Sequence, residues 1–210
     1  GGDTRLINEG GPVFAMPGKV EIPAYMGQKD AIVVTGERVN GSAVLGISHV
    51  NADPDGTFDL SVPANAGLFF ATTVVTHDDS LHRIRTLVRP EDGREILIDP
   101  AATLVASKIM LASKRHKSAE LGAMYDLTAD LTAYIRANVP ATDLGLVWLD
   151  RPNDELAATL DGIAARTPGL ESKLRGWEQK LYSNEAVPPA PAAAIEAPAV
   201  GLPILGPPPK

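Results

Sequence analysis

The stretch Asp55-Gly56-Thr57-Phe58-Asp59-Leu60-Ser61-Val62 decides the fold of the first half of this chain. Apolar side chains at Phe58, Leu60 and Val62 alternate with polar ones, which predicts a strand with one face on a core and the other in water. The preceding Asp-Gly pair is typical of a hairpin turn, because glycine readily adopts positive φ. We therefore expect an antiparallel sheet whose strands are joined by tight turns.

Similar strand patterns occur on both sides of this stretch, up to Pro100. Residues 68 to 75 are apolar or β-branched throughout and predict a central strand buried on both faces. Turns are predicted at Asn40-Gly41 and at Glu91-Asp92-Gly93. Further strands are expected around Val20 and Ile22, Ile32 and Val34, Leu45 and Ile47, Ile84 to Val88, and Ile96 and Ile98. About seven short strands with no helix between them predict a β-sandwich.

After Pro100 the apolar residues recur every three to four positions, which predicts helices. Asp99 is placed to cap the first helix and Pro100 suits its first position. The pattern leaves open whether residues 100–138 form one long helix or two. A third helix has Asp154 and Glu155 in its first turn, and a fourth begins at Thr167-Pro168. The apolar stripes comprise Leu104, Val105, Ile109 and Ala112; Leu121, Met124, Tyr125, Thr128, Leu131 and Ile135; Leu156, Leu160 and Ile163; and Leu170, Leu174, Trp177 and Leu181.

The predicted fold class is therefore α+β, in four segments. An N-terminal extended segment, 1–17, precedes an antiparallel β-sandwich of about seven strands, 18–99, and a helical region, 100–185. Residues 186–210 contain 8 prolines and 7 alanines and predict an extended Pro/Ala-rich C-terminal arm. The apolar residues of this arm are predicted to contact other subunits of an assembly. They are Ile195, Val200, Leu202, Ile204 and Leu205.

Composition excludes several classes of function. The 210 residues include no cysteine, so disulfides, thiolate metal sites and cysteine nucleophiles are absent. A net charge of -7 and 5% aromatic residues argue against nucleic acid as a partner. No apolar run approaches the roughly 20 residues that a membrane-spanning helix needs. The chain also lacks the sequence motifs of nucleophilic, zinc-dependent or nucleotide-binding enzymes, so no catalytic residue is predicted.

Residues 18–99 resemble the carboxypeptidase regulatory-like domain, a transthyretin-type sandwich of bacterial surface and secreted proteins. The resemblance rests on Gly18-Lys19-Val20, on the hairpin 51–60 with its Asp-Gly-Thr-Phe-Asp-Leu stretch, on Val62-Pro63 and on the run 68–75. It implies a seven-stranded sandwich without catalytic residues, serving as a folding, spacing or adhesion module. It covers about 80 of the 210 residues and does not extend to the helical half.

The hairpin also carries a candidate calcium site. Asn51, Asp53, Asp55 and Asp59 offer oxygen ligands at positions one, three, five and nine of a calcium loop, with Gly56 at the sharp bend. Val62 stands where such a loop needs a bidentate glutamate. Asp, Asn and Gly also favour plain turns, so a purely structural hairpin is the alternative.

Three other groups of residues each have two interpretations. His77, Asp78, Asp79 and His82 have the ligand types of a divalent metal site, but a solvated hairpin loop would carry the same residues. Lys108 and Lys114-Arg115-His116-Lys117 form a basic cluster that suits an anionic lipid or polysaccharide, or a helix C-terminus. Trp148 and Trp177 lie in apolar stripes, which favours core or interface anchors over sugar platforms.

These features predict a non-enzymatic, exported structural or interaction protein, a subunit of a cell-surface or extracellular assembly that contacts copies of itself or other subunits. A monomeric module that binds carbohydrate or protein through the sandwich loops is the alternative, and an enzyme ranks third. The start at Gly1 suits a processed chain, and a lipid anchor on a preceding cysteine is one hypothesis for it.

Overall fold

The computed structural model of the protein describes residues 12–22, 26–90, 94–115, 121–144 and 151–182. The chain divides into two compact units. The first, which we call the β unit, comprises residues 1–103 and 145–150. The second, the helical unit, comprises residues 104–144 and 151–210. The protein is thus of the α+β class, as the change of periodicity at Pro100 predicts.

Seven strands are described in the β unit. They are β1 (Val13–Val20), β2 (Ala31–Glu37), β3 (Val50–Asn51), β4 (Thr57–Pro63), β5 (Phe69–His77), β6 (Ser80–Val88) and β7 (Ile96–Ile98). A short 3-10 helix, Ala64–Ala66, connects β4 to β5. The first strand begins at Val13, earlier than the residue 18 at which the sequence places the start of the β-rich segment.

The strands form two sheets, of order β4-β1-β7 and β3-β2-β5-β6. Strand β4 pairs with β1 antiparallel, so that Phe58 lies opposite Gly18. Strand β7, however, runs parallel to β1, from Gly18 opposite Ile96 to Val20 opposite Ile98. The prediction of an entirely antiparallel arrangement is therefore wrong. A parallel pair requires a long crossover, here the chain from β1 to β7, and the alternation of residues within a strand does not reveal the direction of its neighbour.

Buried apolar side chains from both sheets belong to one hydrophobic cluster. Phe58, Leu60 and Val62 of β4 enter it, as their alternation predicts, while Asp59 and Ser61 are exposed. Strand β5 is buried along most of its length, which confirms the prediction for residues 68–75. The other sheet residues of the cluster are Met16, Val20, Ile32, Val34, Phe69, Ala71, Val75, Ile84, Val88, Ile96 and Ile98.

The predicted strand around Leu45 and Ile47 is not present. Residue Ala43 makes an isolated bridge with Glu37, and the chain then turns away from the sheet before β3 begins at Val50. Gly46 has a φ of 87°, which a regular strand does not allow, so the apolar residues around it cannot alternate across a sheet. The edge of β2 is therefore covered by two short segments instead of one strand.

Five helices follow, which we number α1 to α5. They are α1 (Pro100–Arg115), α2 (Leu121–Asn138), α3 (Ala141–Leu144), α4 (Asn153–Ala165) and α5 (Leu170–Leu181). The Asp99 Oδ1 accepts a hydrogen bond from the Ala102 backbone N–H at 3.0 Å, which confirms the predicted cap. Two helices, not one, are described between residues 100 and 138.

Most described side chains of the apolar stripes are buried, among them Leu131, Ile135, Leu160, Leu174 and Trp177. Trp177 is 3% exposed, and its Nε1 donates to the Thr128 Oγ1 at 3.0 Å, so α5 packs against α2. Helix α5 begins at Leu170, later than predicted, because Gly169 at φ 81° separates it from Pro168. None of the described helices combines the length and the hydropathy that crossing a membrane requires.

Candidate functional site

The most exposed large apolar side chain of the described residues lies in the turn between β2 and β3. Leu45 is 90% exposed, whereas Val44 and Ile47 on either side of it are 2% and 9% exposed. The Ile47 N–H donates to the Val44 carbonyl at 3.2 Å, and Gly46 supplies the positive φ typical of the third residue of a type II turn. We call residues 44–47 the Leu45 turn. Its buried flanks hold one leucine out in water in a fixed position.

The Leu45 turn adjoins a second exposed apolar residue through Pro63. A Cβ atom added at Gly46 would lie 2.8 Å from the Pro63 Cγ, so the turn approaches the end of β4 closely. Pro63 is the register partner of Val13, which is 45% exposed. Gly46, which follows Leu45, and Val13 therefore both lie beside Pro63, and we call Val13, Leu45 and Pro63 the Leu45 patch. An apolar patch of this kind is suited to contact with another protein surface.

The sequence does not predict the exposure of Leu45, because Leu45 and Ile47 resemble one face of a strand. The signal that distinguishes the two cases is Gly46 between them, since glycine weakens a strand and permits a turn with positive φ. The exposure of Leu45 cannot be read from the adjacent residues alone. It depends on Val44 and Ile47 entering the shared cluster while Leu45 points away from it.

The candidate calcium residues lie in and around the turn between β3 and β4. The Asp55 Oδ1 accepts hydrogen bonds from the Thr57 N–H at 3.0 Å and from the Thr57 hydroxyl at 2.7 Å. These bonds to Thr57 hold the pKa of the Asp55 carboxyl below its usual range. The Thr57 hydroxyl also lies 3.2 Å from the Asp53 Oδ2. Both carboxylates therefore contact Thr57, as in a self-supporting turn.

The other two candidate ligands are on the neighbouring strands. Asn51 ends β3 and pairs with Val33, whereas Asp59 lies in β4 opposite Pro17 and is exposed. In the described part of the chain, no group of three or more His, Asp and Glu residues is arranged to hold a metal ion. The calcium site therefore stays a prediction from sequence spacing.

The His77–His82 segment forms the hairpin between β5 and β6. Asp78 and Asp79 have φ values of 49° and 60°, the two positive values of a type I′ turn. The His77 Nδ1 is 3.1 Å from the Gln28 carbonyl oxygen, and its Nε2 is 3.4 Å from the Asp78 Oδ2. His82 is 9% exposed, within β6. The solvated hairpin thus accounts for His77 to Asp79, while His82 belongs to the sheet.

The sheet register brings the two acidic turns to the same end of the β unit. The Ala52 N–H donates to the Ile32 carbonyl, and the Asp30 N–H donates to the Thr76 carbonyl, at the start of β2. The turn at Asp53–Gly56 comes directly after Ala52 in the chain, and the hairpin at Asp78–Asp79 comes directly after Thr76 and His77. The Leu45 patch, at the end of β4 and the start of β1, lies at the opposite end.

Lys108 is not part of an exposed basic cluster, contrary to the prediction. It is 7% exposed in α1, and its Nζ lies 2.8 Å from the Asp161 Oδ1 of α4 and 2.8 Å from the Glu178 Oε2 of α5. Arg175 contacts both of these carboxylates and also Glu171, one helical turn away, at 3.5 Å. We call these five residues the Lys108 cluster. Its partners lie 53 and 70 residues along the chain, so local sequence could not reveal it.

Burial and the neighbouring charges shift the pKa values of two members of the Lys108 cluster, Asp161 and Arg175. Burial raises the pKa of Asp161, and the neighbouring Glu178 adds to this effect, while Lys108 and Arg175 oppose it. For Arg175, burial alone would lower the pKa, but Glu178 and Asp161 outweigh burial and raise it. Each charge of the cluster faces an opposite one, as buried charges require. The arrangement connects three helices and leaves no isolated acid or base for chemistry.

The remaining predicted residues lie outside what the structure describes. This holds for the arm residues Ile195, Val200, Leu202, Ile204 and Leu205, for Trp148, and for His116 and Lys117. The backbone of Lys114 and Arg115 belongs to the last turn of α1, but their side chains are outside the described part as well.

Comparison with known proteins gives no match. No family model matches the chain, and neither a curated protein nor a solved structure is detectably similar to it.

Proposed function

We propose that this chain is a non-enzymatic, exported structural or interaction protein, a subunit of a cell-surface or extracellular assembly that forms by contact between copies of the chain. In this proposal the two sheets form a β-sandwich of the carboxypeptidase regulatory-like type, which serves as a rigid support. The sharing of one hydrophobic cluster by both sheets supports the sandwich. The absence of cysteine and the resemblance of residues 18–99 to a surface module support export.

The observation that carries the proposal is the 90% exposure of Leu45 in a turn with buried flanks. Full burial of an exposed leucine side chain is favourable by about 1.5–3 kcal/mol of free energy, so a fixed exposed leucine is an effective contact residue. Because the turn is already ordered by Val44, Gly46 and Ile47, little conformational entropy is lost on binding. Val13 extends the apolar surface on the other side of Pro63.

Substitution of Leu45 tests the proposal. Leu45→Ser is expected to leave folding nearly unchanged, within about 0.5 kcal/mol, because the side chain is exposed. It is expected to shift self-association to higher protein concentration. Leu81→Ser is the matched control, since Leu81 is 49% exposed on β6 near the opposite end of the β unit. Equal self-association of the Leu45→Ser variant and the unaltered chain would contradict the proposal.

A second candidate function is a monomeric module that binds carbohydrate or protein through its loops. One observation favours it: the turn at Asp53–Gly56 and the hairpin at Asp78–Asp79 lie at the same end of the β unit. Calcium titration followed by calorimetry tests the metal-dependent version. A heat of calcium binding that is lost in the double variant Asp53→Asn, Asp55→Asn would support a loop site. The absence of any heat with the unaltered chain would show that the loops do not bind calcium.

A further inference from the structure

Asn40 is followed by glycine, and it is the one asparagine of the seven in the sequence with that neighbour. It lies with Gly41 and Ser42 in the exposed loop after β2. A glycine carries no side chain to hinder approach to its own backbone nitrogen, and Gly41 has a φ of 89° with no atom within 4 Å of the Cβ position. The space beside the Gly41 Cα, where another residue would carry its side chain, is therefore open.

The loop also holds the Asn40 side chain in a defined position. The Asn40 Oδ1 accepts hydrogen bonds from the Ser42 N–H at 2.9 Å and from the Ser42 hydroxyl at 2.7 Å. These bonds hold the side-chain amide of Asn40 against Ser42, two residues further along the chain. Two donors on Oδ1 also polarise the amide carbonyl, which favours attack on its carbon in the way that an oxyanion hole does.

We propose that Asn40 is a site of spontaneous covalent modification, in which the Gly41 backbone nitrogen attacks the Asn40 side-chain amide and converts it to aspartate and isoaspartate. Hydroxide removes the Gly41 N–H proton, and the nitrogen forms a bond to the Asn40 Cγ. The bond from Cγ to Nδ2 breaks, and Nδ2 takes one proton from water and leaves as ammonia, which regenerates the hydroxide. Water then opens the resulting succinimide ring at either carbonyl. No oxidant or reductant takes part.

One contact opposes the reaction. The Gly41 N–H donates to the Arg38 carbonyl at 2.8 Å, and this bond must break before the nitrogen can attack. An exposed turn bond is weak, because water replaces it at a net cost of about 1 kcal/mol. At this cost the bond to Arg38 slows the reaction by less than about tenfold and does not prevent it.

Isoaspartate would alter the loop, because it moves one side-chain carbon into the main chain. The Arg38 N–H donates to the Ser42 carbonyl at 2.7 Å across this loop, and the longer chain cannot keep that register. The Arg38 guanidinium also donates to the carbonyls of Ala66 and Leu68, so the change reaches the connection between β4 and β5. The modification also adds one negative charge to a chain of net charge -7.

Peptide mapping of the folded full-length chain tests the proposal. After incubation at mildly alkaline pH and 37 °C, mass spectrometry measures replacement of the amide by a carboxyl at each asparagine. We expect Asn40 to convert at least about tenfold faster than Asn51 or Asn65, each followed by alanine. Asn40→Gln is the control, because its longer side chain does not form the five-membered ring at a comparable rate.

A second variant tests the contribution of the turn. Ser42→Ala removes the hydroxyl donor to Oδ1 and is expected to slow conversion by about twofold to tenfold. An unchanged or faster rate in Ser42→Ala would contradict activation by the turn. Persistence of Asn40 in the folded chain, under conditions in which a synthetic peptide of residues 36–44 converts, would overturn the proposal.

Discussion

Phe58 covers Gly18 across the β1–β4 pair. The two residues are register partners, and a Cβ atom added at Gly18 would lie 2.2 Å from the Phe58 Cζ. Phe58 is 7% exposed and belongs to the hydrophobic cluster, so a shift of its ring must displace other core side chains. The aromatic side chain that marks the fold in the sequence thus depends on a glycine 40 positions earlier.

Gly18→Ala is therefore expected to destabilise the β unit by about 1–3 kcal/mol, because the added methyl group displaces the Phe58 ring. Urea unfolding followed by circular dichroism measures the change. Gly176→Ala is the matched control, for which we expect stability to change in the opposite direction. Gly176 lies in α5 with no atom within 4 Å of its Cβ position. Alanine there should stabilise the helix by about 0.5–1 kcal/mol. Equal stability of Gly18→Ala and the unaltered chain would show that the ring can move aside.

Removal of the cap of α1 should have a moderate effect. Asp99→Ala deletes the acceptor of the Ala102 N–H and is expected to cost about 1 kcal/mol of stability. Asp99→Asn keeps an oxygen acceptor at the same position and should retain most of that stability. Thermal unfolding of the two variants checks the prediction, and an equal loss in both would assign the effect to the charge of Asp99 instead of its hydrogen bond.

Lys108 is expected to be the most sensitive residue of the helical unit. Lys108→Met leaves the Asp161 and Glu178 carboxylates buried without their shared cation, which should cost about 3 kcal/mol or more at neutral pH. Lys180→Met, at an exposed position of α5, should change stability by less than about 0.5 kcal/mol. Tryptophan fluorescence during urea unfolding measures both. Similar midpoints for the two variants would contradict a role for the Lys108 cluster in holding α1 to α4 and α5.

The raised pKa of Asp161 predicts an unusual pH dependence. Its folded-state pKa lies above the ordinary value of 3.8, so the contribution of Asp161 to stability is complete below 3.8 and is lost as the pH rises through the raised value. Asp161→Asn has no proton to lose. The free energy of unfolding of the unaltered chain, relative to that of Asp161→Asn, should therefore fall as the pH rises above 3.8. A rise over this range would show that Lys108 and Arg175 outweigh burial.

The features that the sequence could predict are those that depend on neighbouring residues. The alternation at Phe58, Leu60 and Val62, the turn at Asp55-Gly56 and the cap at Asp99 are each set within a few positions. The parallel partner of β1 and the contacts of Lys108 depend on residues distant along the chain. The exposure of Leu45 depends on which neighbours reach the core, and a pattern of two apolar residues does not contain that information.

The apolar arm provides a test of assembly that is independent of the β unit. Deletion of residues 186–210 is expected to weaken self-association while leaving the folding transition unchanged, because Pro- and Ala-rich sequence adds little to a core. Analytical ultracentrifugation and thermal unfolding of the shortened chain measure the two effects. Unchanged association would show that the arm does not contribute to the proposed contacts. A lowered melting temperature would show that the arm contributes to the stability of the fold.

Copies of this chain are proposed to associate through exposed apolar surface. The most direct test is the solution mass of the intact chain, measured by light scattering over a wide range of protein concentration. We predict a mass well above 22.1 kDa that falls on dilution and falls earlier for Leu45→Ser. A mass of 22.1 kDa at every concentration would show that the chain does not self-associate.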